Sequence, residues 1–129
     1  MEIIVIIVLR VLLITFYAFA GIYHFINPEF YYPLIPDYLP FPELINYLSG
    51  FFEIILAIGV VVPKTRLLAV KGLILILIAF IPSHIYFITE GGCMSESLCV
   101  PLWVAWVRLV LIHPLLILWA WSVRKTNKV

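Results

Sequence analysis

Four apolar stretches, each about as long as a bilayer is thick, leave this chain few ways to fold. They run over Ile3–Tyr23, Leu44–Val62, Leu67–Ile88 and Pro101–Ser122. A helix needs about 20 mostly apolar residues to cross the hydrocarbon core. Of the 129 residues 65% are hydrophobic and 12% charged, and mean hydropathy is +1.18. A water-soluble domain this small has too much surface for its volume to hide so many apolar side chains. The expected fold is all-α: a transmembrane four-helix bundle forming one domain over residues 1–129. The opening MEIIVIIVLRVLLITF lacks the basic start and small-residue cleavage site of a secretion signal, so it reads as a permanent first span.

The charges between the spans alternate. The first connection, His24–Glu43, has no Lys or Arg and carries Glu29, Asp37 and Glu43. The second, PKTR, carries Lys64 and Arg66; the third, Thr89–Val100, carries only Glu90 and Glu96; the tail carries Arg124, Lys125 and Lys128. The positive-inside rule then places both termini in the cytoplasm, as an integral protein of a bacterial cytoplasmic membrane. Cys93 and Cys99 fall on the outer side, where an oxidising compartment lets them pair. Their C-x5-C spacing is not the redox C-x-x-C, but a working thiol pair and two free thiols stay open beside the disulfide. A net charge of +1 without a basic run argues against nucleic acid as a partner.

NPEFYYPLIPDYLPFPE, from Asn27 to Glu43, holds five prolines and several aromatic residues. Proline fixes φ and removes a donor, so this is no continuous helix, and its rings suit the headgroup layer. It is expected to lie across the outer mouth of the bundle as a lid, or equally as a simple interfacial anchor. Pro82 and Pro114 kink the third and fourth spans and free the carbonyls of Ile78 and Val110.

Ionisable residues inside spans are the strongest functional signal. Glu53 sits near the middle of the second span, about 13 Å from either end, and Arg10 and Arg108 each lie about 10 Å from the near end of theirs. A lone charge at the midplane costs at least about 2.5–3.5 kcal/mol, so the three are expected to converge inside the bundle. Spacing agrees for two spans: Asn46, Ser49, Gly50, Glu53 and Ala57 share a face, as do Arg10, Tyr17, Gly21 and His24. Phe80 and His84 share a face of the third span, and Arg108 shares a stripe with Val104, Ile112 and Leu115, from which His113 points away. The candidate catalytic residue is Glu53, as proton acceptor or relay. The candidate ligand-binding residues are Arg10, Tyr17, His24, Ser49, His84 and Arg108. The plainer reading makes the Arg10–Glu53–Arg108 cluster a structural pin that sets helix register. His24 and His84 are of the right type for a metal or haem, but no metal site is expected.

GIYHFINPEFY, SGFFEIILAIGVVVPKTR, FIPSHIYF and WVRLVL, in this order and spacing, resemble the DoxX-like family of small four-helix membrane proteins. The matching positions are Gly21, His24, Phe25, Pro28, Ser49, Gly50, Glu53, Pro63, Arg66, Pro82 and Arg108. The chain departs from the family at Ser83-His84, where Ala-Asn is common, and at Val110 and Ile112, where proline and glutamine are common. The resemblance implies a redox-associated accessory subunit binding a quinone-like or small apolar ligand at the Glu/Arg/His cluster. The alternatives are a non-catalytic assembly or scaffold protein for a membrane complex and, read from the residues alone, an isomerase-like enzyme on an apolar substrate with Glu53 as acid or base. The implied partners are the bilayer, a membrane redox or assembly protein, and a second copy of the chain.

Overall fold

The computed structural model describes residues 1–126, and Lys128 of the basic tail lies outside them. Four helical stretches are long and apolar enough to cross a membrane: Glu2–Ile26, Pro42–Val61, Arg66–Thr89 and Leu102–Ser122. The first is helix α1 and the second α3 (Pro42–Val61); between them lie α2 (Pro28–Tyr31) and a 3-10 turn, Tyr32–Leu34. The third comprises α4 (Arg66–Ala79) and α5 (Ile81–Thr89). A hairpin of β1 (Cys93–Ser95) and β2 (Leu98–Cys99) leads to the fourth, built from α6 (Leu102–Val107), a π-helical turn (Arg108–Ile112) and α7 (His113–Ser122).

The bundle is apolar on the outside as well as within. Phe19, Leu68 and Leu75 are 68%, 74% and 67% exposed, which water would penalise and acyl chains would not. The buried stripe of α1 is Arg10, Leu13, Tyr17, Gly21 and His24, and that of α3 is Asn46, Gly50, Glu53, Ala57 and Val60. Leu13, Tyr17, Ala57, Val60, Val70, Leu73 and Ala120 form the main core. A smaller core of Phe87, Leu98 and Ala105 lies under the hairpin.

Helices α1 and α3 cross where glycine meets glycine. A Cβ on Gly21 would stand 2.7 Å from the Gly50 carbonyl oxygen, and one on Gly50 would stand 2.6 Å from His24 Cβ. Only hydrogens at these positions let the backbones approach so closely, the small-residue rule of helix packing in lipid.

The two ends of the bundle differ in charge. The lid (residues 27–41) and the hairpin share one end, where the Ser83 hydroxyl donates to the Leu34 carbonyl at 2.6 Å. The α3–α4 turn and the chain's last described residues share the other, where Thr126 Oγ1 donates to the Pro63 carbonyl at 3.4 Å. Within the lid Phe41, between Pro40 and Pro42, takes φ 55, a left-handed conformation that costs a side chain about 1–2 kcal/mol. The structure joins Cys93 to Cys99 by a disulfide.

Proline acts differently in the two kinked spans. Pro82 enters at the start of α5, just after Phe80 separates it from α4. Pro114 cannot donate to Val110, and the turn before it widens so that the His113 N–H reaches the Arg108 carbonyl, five residues back. This corrects the expected facing of the fourth span. At 100° per residue His113 would lie about 80° around from Ala105, whereas the wider turn brings both onto the buried face. His113 therefore points inward, its Nε2–H donating to the Leu77 carbonyl at 2.5 Å. Ile112 and Leu115, expected beside Arg108 on the inner face, are 44% and 50% exposed.

Candidate functional site

The expected meeting of Arg10, Glu53 and Arg108 does not occur. Arg10 turns toward the end of α7, donating to the Lys125 carbonyl at 2.7 Å and to the Val123 carbonyl from Nη2 at 3.3 Å. Val123 caps α7, whose last carbonyls have no partner within the helix, and Lys125 lies just beyond it; a guanidinium is well shaped to serve both carbonyls. Arg66 does the same for α3, with Nε donating to Val60 at 2.8 Å and Nη2 to Val61 at 3.1 Å. Arg108 lies near the opposite end, its Cζ 4.8 Å from the centre of the Phe87 ring. Position along a span does not say whether a carboxylate or a row of orphan carbonyls is closer.

Glu53 has another partner. It is 4% exposed, and its Oε2 lies 3.6 Å from His24 Nε2, the one acid–base contact among the described residues. The Gly21–Gly50 crossing creates this pairing, because a Cβ at Gly21 would stand 3.1 Å from Glu53 Cβ and push the helices apart.

The other ring nitrogen of His24 is held by Asn46, a residue the sequence put on the polar face but not in the site. Asn46 Nδ2–H donates to the His24 backbone carbonyl at 3.0 Å, which leaves its Oδ1 to accept from His24 Nδ1–H at 2.6 Å. With Nδ1 carrying a hydrogen, a neutral His24 presents the lone pair of Nε2 to Glu53. At 3.6 Å the two groups face each other within ion-pair range but beyond a hydrogen bond.

Tyr31, also absent from the sequence-based set, caps the arrangement. Its ring stacks on His24 with centroids 3.6 Å apart and planes 13° from parallel, and its hydroxyl donates to the Ala20 carbonyl at 3.4 Å. Burial pushes the Tyr31 phenol up to about 12, so it stays neutral. Nothing in local spacing points to Tyr31; the chain reverses at Asn27–Pro28 and carries the ring back over α1.

Two polar atoms in the site lack partners. Glu53 Oε2 and Tyr17 Oη are buried without a hydrogen bond. They belong to the facing stripes of α1 and α3, with Tyr17 one turn from Gly21. The remaining sequence candidates lie elsewhere. Ser49 donates back to Ile45 of its own helix at 2.7 Å. His84 packs edge-to-face with His113, ring centres 4.7 Å apart, away from His24.

The family described as a domain of unknown function, DUF8561, matches residues 13–124, a range that includes Tyr17, Gly21, His24, Asn46, Gly50 and Glu53. The chain belongs to this family. No curated protein and no solved structure gives a match.

Proposed function

We propose that this member of the family is a DoxX-like accessory subunit of membrane redox machinery that holds a quinone-like or other small apolar molecule by its polar head beside Glu53. The reading rests on one observation: Glu53 Oε2 and Tyr17 Oη are buried on facing helices without partners. Each such atom costs about 1–3 kcal/mol. A hydroxyl or carbonyl between them would offset both penalties, with the phenol donating to an oxygen of the guest. His24 faces Glu53 at 3.6 Å, and Asn46 holds the ring in the tautomer that turns its Nε2 lone pair toward the carboxyl. The chain binds the head and manages its proton, while electrons belong to a partner redox protein. Arg10 is engaged with carbonyls and supplies the guest nothing in this reading.

The basic residues Lys64, Arg66, Arg124 and Lys125 all lie at the end of the bundle opposite the lid. This supports an orientation with both termini in the cytoplasm and the lid outside, in a bacterial cytoplasmic membrane.

A second reading is a scaffold without chemistry. It is favoured by the commitment of Arg10, Arg66 and His113 to backbone carbonyls, which makes half of the buried polar and charged side chains fasteners. The test is mass spectrometry of apolar molecules extracted from protein purified from its native membrane, comparing wild type with Glu53→Gln. Co-purification of a quinone or similar molecule with wild type, and its loss in folded E53Q, supports the ligand reading. Equal recovery from both, with an unchanged protein partner, supports the scaffold.

A further inference from the structure

A second site lies at the lid end, separate from Glu53. A cavity of about 580 Å³ opens between the lid, the end of α5 and the disulfide hairpin. That is within the range of about 300–1,000 Å³ typical of small-molecule sites. Its walls include Tyr32 and Asp37 from the lid, Tyr86 and Glu90 from α5 and the residue after it, and Cys93 and Met94 from the hairpin. Pro33 and Pro36 of the lid and Pro42 at the start of α3 also line it.

The walls are tied in place. The lid is anchored by the Ser83 hydroxyl on the Leu34 carbonyl at 2.6 Å, and by Tyr31 stacked on His24. The hairpin is closed by the Cys93–Cys99 disulfide and by the Val100 N–H donating to Gly92 at 2.9 Å. A Cβ at Gly92 would stand 2.9 Å from the Val100 carbonyl oxygen, so the hairpin root is close-packed.

Its chemistry has one sign. Asp37 and Glu90 line it, no Lys, Arg or His does, and the connections forming this end contain no Lys or Arg at all. Anions are repelled, which separates this cavity from any site for an anionic head. Two carboxylates with no third ligand do not make a divalent-cation site, and among the described residues no group of three or more His, Cys, Asp or Glu lies together. Two tyrosine rings, prolines and Met94 instead offer apolar and π surface next to the negative charge. That combination suits an organic ammonium group with an apolar body.

We infer that the cavity between lid and disulfide hairpin binds an alkylammonium group through Asp37, Glu90 and the rings of Tyr32 and Tyr86. The ammonium comes either from a free amine or from an amine-bearing lipid headgroup, because the cavity sits at the level where the spans leave the membrane.

The probe is n-hexylamine, with n-hexanol as its neutral counterpart, titrated calorimetrically into protein in uncharged detergent near neutral pH. Hexylamine binding is expected, with hexanol at least tenfold weaker. Asp37→Asn and Glu90→Gln should each weaken hexylamine by about fivefold or more, and the double variant should abolish binding. Asp37 and Glu90 are exposed, so neither change disturbs the core; either single variant suffices if the other folds poorly. Glu96→Gln removes a carboxylate from the same end but outside the cavity, and should leave affinity unchanged. Native mass spectrometry from nanodiscs of mixed phosphatidylethanolamine and phosphatidylglycerol distinguishes the two sources. Phosphatidylethanolamine retained by wild type and lost in D37N/E90Q assigns the site to the lipid headgroup; hexylamine binding without retained lipid assigns it to a free amine. Equal binding of hexanol, unchanged affinity in D37N/E90Q, an E96Q effect as large as that of D37N, or calcium binding without hexylamine binding overturns the inference.

Discussion

Replacing Gly50 by alanine tests the crossing on which the site depends. The added Cβ would stand 2.6 Å from His24 Cβ, 2.8 Å from the Gly21 carbonyl oxygen and 3.0 Å from the Phe25 ring. Two of these neighbours are backbone or a Cβ and cannot rotate away. Ordinary contact is about 3.5–4.0 Å, so α1 and α3 must part by about 1 Å. Overpacking of this kind costs about 1–3 kcal/mol, against about 0.5–1 kcal/mol regained because alanine suits a helix better than glycine. The net loss should be about 1 kcal/mol, within a span of about 0–2.5 kcal/mol. Gly72→Ala is the internal control. Its Cβ would meet only the side-chain tip of Leu56, at 2.7 Å from Cδ2, which can turn aside. That variant should fall within about 0.5 kcal/mol of wild type, because helix propensity offsets a small rearrangement. Reversible unfolding in mixed micelles, followed by far-ultraviolet circular dichroism, measures both. The 3.6 Å approach of His24 to Glu53 should lengthen with the crossing, so G50A should also lose whatever molecule wild type retains. G50A as stable as wild type, or G72A more damaging than G50A, would refute the close-approach argument.

Other substitutions probe the groups that the arginines and histidines serve. Arg10→Leu strips the Val123 and Lys125 carbonyls of their donor; a loss of about 1.5–3 kcal/mol is expected, with the tail more quickly cut by carboxypeptidase. His113→Phe keeps the ring volume but leaves the Leu77 carbonyl without its side-chain donor; about 1–3 kcal/mol should be lost in the same unfolding assay. Asn46→Leu removes the acceptor that holds a hydrogen on His24 Nδ1; nitrogen-15 NMR of the ring should change from a single Nδ1–H tautomer to a mixture, and an unchanged spectrum would count against the tautomer assignment. Tyr31→Ala uncovers His24; its ring should become reactive to diethyl pyrocarbonate in that variant while staying protected in wild type.

Much of the bundle could be read from residue order. The four spans and the inner faces of the first two follow from hydropathy and a 3.6-residue period, both local properties. Tyr17, His24 and Glu53 were recognisable as inward-facing for the same reason. The fourth span was misjudged past Arg108 because Pro114 changes the period itself: a π turn adds a residue to the face pattern, and a count based on regular helix then selects Ile112 and Leu115 where the folded chain buries His113. Asn46 was visible on its face, but its bond to His24 joins residues 22 apart and depends on the distance between two helices.

Composition and periodicity alone thus determined that this chain forms apolar helices with a carboxylate in mid-span, because burial in lipid is a property each segment carries on its own. Only the tertiary structure decided who answers that carboxylate. Gly21 and Gly50 bring α1 and α3 close enough for His24 to reach it, while Arg10 and Arg66 are drawn off to helix-end carbonyls. Charge pairing across a bundle is settled by which partner lies within a few ångströms, and that distance is set by packing.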